Sequence, residues 1–141
     1  FRADRIPIVL DTIKRTCLME GGVADFASRS TGKPNRDRLG ISTQEATILA
    51  MTYIYEGRKQ QGMEIAERVW DTLVRRGLMG WDLTPGAHID TGERFAGTDY
   101  YQMMILWAMP AAMAEQDLSG PCQQGGLVDR VLKATGSDLS K

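Results

Sequence analysis

Residues 42–77 read STQEATILAMTYIYEGRKQQGMEIAERVWDTLVRRG, and they decide the fold class. Ser42 and Glu45 form a capping-box pattern, in which each side chain satisfies an orphan backbone N–H of the other residue. Ala46, Ile48, Leu49, Ala50, Met51, Tyr53 and Ile54 then make the helix apolar on nearly all sides, as a helix buried between neighbours is. Gly57 ends it. After a very short link a second helix runs from about Gln60 to Arg76. Its expected buried stripe is Met63, Ala66, Val69, Trp70 and Leu73, and Gly77 supplies its stop. The pair is an antiparallel αα-hairpin.

Working outward, the spacing upstream predicts another helix. It starts near Asp4 with Pro7 in its first turn, where a missing N–H costs nothing. Ile6, Val9, Leu10, Ile13 and Cys17 share one face, and Gly21-Gly22 stops the helix. A turn-rich loop follows over residues 21–41, GGVADFASRSTGKPNRDRLGI. Its Arg29, Lys33, Arg36 and Arg38 read as a solvated basic loop. Downstream, residues 78–97, LMGWDLTPGAHIDTGERFAG, form a second long loop. A fourth helix is expected from Thr98 as N-cap, with Pro110 inside it as a kink. A last helix around Leu127, Val131 and Leu132 stops at Gly136. The expectation is therefore an all-α fold of antiparallel hairpins. Loop lengths alternate long and short, which puts both long loops at one end, and long loops are often functional. The helix at 42–57 and the one expected from Thr98, apolar on most sides, want more cover than five helices give. This points to partners from a longer chain.

Composition narrows the function. The chain has 141 residues, 43% hydrophobic, with a net charge of −1, which fits one soluble domain with a core. Nothing in the charge points to nucleic acid. No apolar run reaches the ~18 residues of a membrane span. No signal peptide opens the chain, and the first residue is Phe1 rather than Met, so the N-terminus reads as cut; a cytoplasmic location is the expectation. Cys17 and Cys122 read as free thiols. His88 is the single histidine, so no metal site and no cofactor are expected.

The richest constellation is the second loop with the start of the next helix: Trp81, His88, Asp90, Glu93, Arg94, Asp99, Tyr100 and Tyr101. Sugar sites need this mixture, because aromatic faces cover C–H surfaces while carboxylates and Arg hydrogen-bond hydroxyls. Taken singly, each residue also has a structural role open to it. Trp81 and Phe95 can plug the core, Asp90 and Asp99 suit turns and first helical turns, and Glu93 with Arg94 can be a surface pair of little worth. As a set, the loop reads as ligand-facing.

The run EATILAMTYIYEGRKQQGMEIAERVWDTLVRRG at 45–77 resembles a segment of glycoside hydrolase family 116, the non-lysosomal glucosylceramidase and β-glucosidase family. There a TYALA…MIHEG…EGLKIAEGVY-like run occurs. The likeness continues through LTPGAHIDTGERFAGTDYYQMMILWAMPAAM at 83–113, and covers roughly residues 43–116. It implies an (α/α)6 toroid, of which residues 1–141 would be the C-terminal helical portion. It also implies retaining hydrolysis of β-linked glucosides by two carboxylates lying outside this chain. The resemblance makes a carbohydrate the substrate and the rest of the same enzyme the partner. Arg94 matches the Arg of the family's Arg-Phe pair. Gly86 stands at the Glu of its TPEA-like loop, and Ala96 at the Arg after the pair. These departures imply a divergent subfamily. The expected substrate-binding residues are His88, Glu93, Arg94, Asp99 and Tyr100, with no catalytic residue in the chain. Two rival expectations are a non-catalytic helical interaction module and a lyase or inverting hydrolase on the same toroid.

Overall fold

The computed structural model describes residues 2–34, 40–80, 82–97 and 101–136. After a 3-10 turn at Ala3–Arg5 the helices are α1 (Ile6–Cys17), α2 (Thr43–Tyr55), α3 (Lys59–Trp70), α4 (Met109–Met113) and α5 (Leu127–Ala134). Pro7 sits in the first turn of α1. The α3 helix runs on into a π-helical segment at Asp71–Arg76, and a 3-10 segment at Tyr101–Ala108 leads into α4. Pro110 lies in the first turn of α4 rather than inside a longer helix, so it starts a helix where the sequence suggested a kink. The expected N-cap Thr98 lies outside the described residues.

The expectation of an all-α toroid is corrected by the two long loops. They carry five short strands: β1 (Leu18–Met19), β2 (Gly22–Val23), β3 (Gly40–Ile41), β4 (Gly86–His88) and β5 (Arg94–Ala96). β1 and β2 form an antiparallel hairpin where a turn after α1 was expected, and β3, β4 and β5 form an antiparallel sheet in that order. The fold is mixed. The reason is backbone hydrogen bonding. Ile41, Ala87 and Ile89 are fully buried under the helices, and backbone N–H and C=O groups carried inward with them need partners. Each loop supplies the other's: Gly40 pairs with His88 and Ile41 with Ala87. The two loops thus meet at one end of the helices, joined across 45 or so residues of chain by strand pairing.

α2 is the centre of the core. Thr43, Ala46, Thr47, Ala50, Met51, Tyr53 and Ile54 are buried on it, with α3 packed along one side and α4 along another. The hydroxyl of Tyr53 donates to the Leu10 carbonyl of α1 at 2.5 Å. On its remaining side Ile48 and Tyr55 are 44% and 42% exposed. The buried stripe of α3 is Gly62, Ile65 and Val69, continuing to Thr72 and Leu73. Met63 and Trp70 were expected in it but are 40% and 52% exposed, because each stands one residue, about 100°, past a residue of that line and on the same side of it. On α1 only Leu10 is buried, while Ile6, Ile13 and Cys17 pack partly against the core. No described helix is long and apolar enough to cross a membrane.

The capping box expected at α2 is absent. Ser42 is the N-cap but makes no side-chain cap bond. Its backbone N–H donates instead to Asp25 Oδ1 at 2.9 Å. A residue from the first loop has taken the bond that Glu45 was expected to make, and this leaves the Glu45 carboxylate for other work.

Candidate functional site

The sheet sorts the second loop into two faces. Along a strand successive side chains alternate, so Ile41 and Ala87 point into the core while Gly40 and His88 sit on the other face. The β4–β5 turn is closed by the Gly92 N–H on the His88 carbonyl and the His88 N–H on the Glu93 carbonyl, both 2.8 Å. A bulge lies between Gly86 and Ala87. His88 is exposed, and its ring meets Phe95 of β5 edge-on with centroids 5.2 Å apart.

Phe95 reaches across the sheet to β3. A Cβ built on Gly40 would lie 2.8 Å from Phe95 Cζ and 3.0 Å from Asp25 Oδ2. An aromatic ring and a carboxylate oxygen thus converge on one point above the Gly40 backbone, and a side chain there would displace them. Asp25 is held in place twice: its own N–H donates to the Gly40 carbonyl at 3.1 Å, and its carboxylate accepts from Ser42. Phe95 is 53% exposed, so its ring is open to a ligand.

Asp25 continues into a cleft between α1, β2 and the start of α2. The cleft has a volume of ≈ 530 Å³ and is floored by Ile13, Val23, Ala46 and Leu49, with Asp25, Ser42 and Glu45 as its polar groups. Burial pushes the Asp25 carboxyl above its ordinary 3.8; the Ser42 N–H pulls it back, and the nearby Glu45 charge adds to the rise. The sign follows. A carboxyl raised on folding favours the folded state below its ordinary value, and that contribution is lost as pH rises through the folded value. Asp25→Asn keeps the acceptor for Ser42 and removes the desolvated charge. It is expected to melt higher than the parent at about pH 7 and level with it at about pH 3. Paired thermal melts at the two pH values check this; a lower melt at neutral pH would show that the charge itself holds the loop.

The residues expected from sequence are placed differently from one another. His88 lies on the open face beside Phe95. Glu93 is exposed in the turn, with its N–H bonded to Thr91 Oγ1 at 3.1 Å. Arg94 is a clamp. Its guanidinium pairs with Asp82 Oδ2 at 2.9 Å, donates to the Asp82 carbonyl at 2.6 Å, and leans on the Gly97 carbonyl at 3.4 Å. These bonds tie the hairpin to the chain on either side. Asp99, Tyr100 and Trp81 lie outside the described residues. Asp25 and Gly40 were not singled out in the sequence. Their only local signal was a Gly and an Asp in a turn-rich loop, which turns alone explain.

Comparison with family models, with curated proteins and with solved structures finds no match for this chain. Among the described residues no group of three or more His, Cys, Asp or Glu is arranged to hold a metal ion.

Proposed function

We propose that this chain supplies a carbohydrate-facing surface of a β-glycosidase-type hydrolase whose catalytic carboxylates lie outside it. The observation that carries the reading is the convergence of the Phe95 ring and the Asp25 carboxylate over Gly40, beside His88. A pyranose offers an apolar C–H face and a rim of hydroxyls. A ring open on one side suits the first, and a fixed carboxylate oxygen suits the second. The likeness to the glycoside hydrolase segment over residues 43–116 supports β-linked glucosides as the class. A cytoplasmic location goes with the reading, since Cys17 and Cys122 are free thiols.

The test is a titration of the 141-residue chain with methyl β-D-glucopyranoside, followed by backbone and aromatic NMR shifts. Perturbations are expected at Gly40, His88 and Phe95, with a Kd of about millimolar, as suits one monosaccharide on an open surface. Phe95→Ala should abolish them and His88→Ala should weaken them several-fold. Arg94→Ala is a poor probe, because it also releases the hairpin. Shifts that leave these residues unmoved, or that persist in Phe95→Ala, sink the proposal.

A second reading, a helical interaction module, is favoured by one observation. Leu127, Val128 and Val131 of α5 and Trp107 point outward, Trp107 at 81% exposure.

A further inference from the structure

We infer that the hydroxyls of Thr43 and Thr84 are positioning groups, which set where the Phe95 ring stands relative to Asp25. The inference rests on the proposed sugar surface for its consequence in binding. The geometry it states is measured with no sugar present.

The need for such groups follows from the sheet. Strand order is β3-β4-β5, so Phe95 stands on the outer strand, one strand removed from Gly40. A pair of strands this short is marginal by its own pairing. The Arg94 guanidinium bonds to Asp82 and Gly97, and the Phe95 ring meets His88. Those contacts stay within residues 82–97 and move with the hairpin. With half of Phe95 exposed, packing is a weak restraint on its ring.

Thr84 pins the base of the hairpin. Its hydroxyl donates to the Gly86 carbonyl at 2.9 Å, leans on the Gly97 carbonyl at 3.3 Å, and accepts from the Gly86 N–H at 3.2 Å. Gly86 opens β4, and Gly97 follows β5 two residues after Phe95. One side chain thus joins both ends of the hairpin. Thr43 then ties that base to the helix. Its hydroxyl, on the first residue of α2, donates to the Thr84 carbonyl at 2.8 Å.

The preceding residue holds the other half of the surface, since the Ser42 N–H donates to Asp25 Oδ1 at 2.9 Å. Ser42 and Thr43 are consecutive, with Cα atoms about 3.8 Å apart. Asp25 and the hairpin of Phe95 are therefore hung from adjacent points on one helix end, and their separation is set there. Thr43 and Thr84 are fully buried, so water does not replace a bond that either hydroxyl loses. A buried Thr can also spend its hydroxyl within its own helix, as Thr47 does on the Thr43 carbonyl at 2.7 Å. Thr43, at the start of α2, has no carbonyl one turn back in that helix and reaches outward instead.

The experiment reads the ring directly. A Cβ on Gly40 would lie 2.8 Å from Phe95 Cζ, so the Gly40 Hα in that direction sits against the ring and takes its ring-current shift. In NMR spectra of the 141-residue chain, Thr84→Val and Thr43→Val are expected to move this resonance toward its position in Phe95→Ala. Thr84→Ser and Thr43→Ser keep the hydroxyl and should hold it at the parent's position. Thr47→Val is the control, because it removes a buried hydroxyl from the same helix and should leave the resonance in place. Methyl β-D-glucopyranoside should bind the two valine variants several-fold more weakly, and the serine variants as it binds the parent. A resonance unmoved in Thr43→Val overturns the inference, and this variant decides alone if Thr84→Val does not fold, since it leaves the hairpin's own bonds in place. Serine variants displaced as far as their valine counterparts overturn it too, as does Thr47→Val displaced as far as Thr43→Val. A displaced ring with unchanged glucoside affinity overturns the link to binding. A parent chain that binds no glucoside defeats the sugar surface alone, and the ring shift still tests the positioning.

Discussion

Gly21→Ala is expected to lower the melting temperature of the chain by roughly 10 °C or more, a loss of about 3 kcal/mol or beyond. The reason is a junction of backbones. A Cβ at Gly21 would collide with the Ile89 carbonyl oxygen and lie 3.0 Å from Thr72 Oγ1. Both neighbours are fixed: Ile89 and Thr72 are fully buried, and Thr72 belongs to the π-helical segment that ends α3. Gly92, in the β4–β5 turn, is pressed against the Thr72 carbonyl from the other side. Overpacking costs more where the obstacle is backbone, because no rotamer change relieves it. Gly80→Ala is the control, since a Cβ there meets nothing within 4 Å. A Gly21→Ala chain that melts with the Gly80→Ala chain would show that the junction is looser than described. The same junction seats the hairpin that bears His88 and Phe95, so the sugar surface proposed there should fall with it.

Tyr53→Ala should cost about 3–5 kcal/mol, the range for emptying a large buried aromatic site. Tyr53 is fully buried at the centre of α2, and its hydroxyl holds the Leu10 carbonyl of α1. Tyr53→Phe divides the effect. It keeps the ring and removes the second hydrogen bond to the Leu10 carbonyl, which the N–H of Lys14 within α1 still satisfies, at a cost of about 0.5–1.5 kcal/mol. Urea midpoints of the two variants at constant m-value give the two numbers. If Tyr53→Phe costs as much as Tyr53→Ala, the hydroxyl rather than the ring is what joins α1 to α2. If both leave the midpoint unmoved, α1 is not part of the cooperative core.

Much of the helical part was legible in the sequence. The α2–α3 hairpin followed from Gly57, Gly77 and an apolar spacing that any three turns of helix must show. The errors there were rotational: Met63 and Trp70 were put on the buried face because large apolar residues are expected inside, yet the line through Gly62, Ile65 and Val69 is the one that meets α2. Strands of two or three residues such as Gly40–Ile41 and Gly86–His88 carry no alternation long enough to read, and their glycines look like turn residues. Arg94 looked like a ligand contact, and its partner Asp82 stands twelve residues away in a loop, where no spacing rule joins them.

The sequence by itself determined the α2–α3 pair with its ends at Gly57 and Gly77, and that the chain carries no membrane-length apolar run. Those features depend on neighbours three and four residues apart and on single breakers, so local order is enough. Only the tertiary structure decided that the two long loops pair as β3 and β4. It alone brought Asp25 and Phe95 together over Gly40, and gave Ser42 to Asp25 rather than to Glu45. Each of those is a contact between residues 15 or more apart in the chain, as the 17-residue separation of Ser42 and Asp25 shows. Burial of the loops is what selects them, because their backbone groups must find partners once the helices have excluded water.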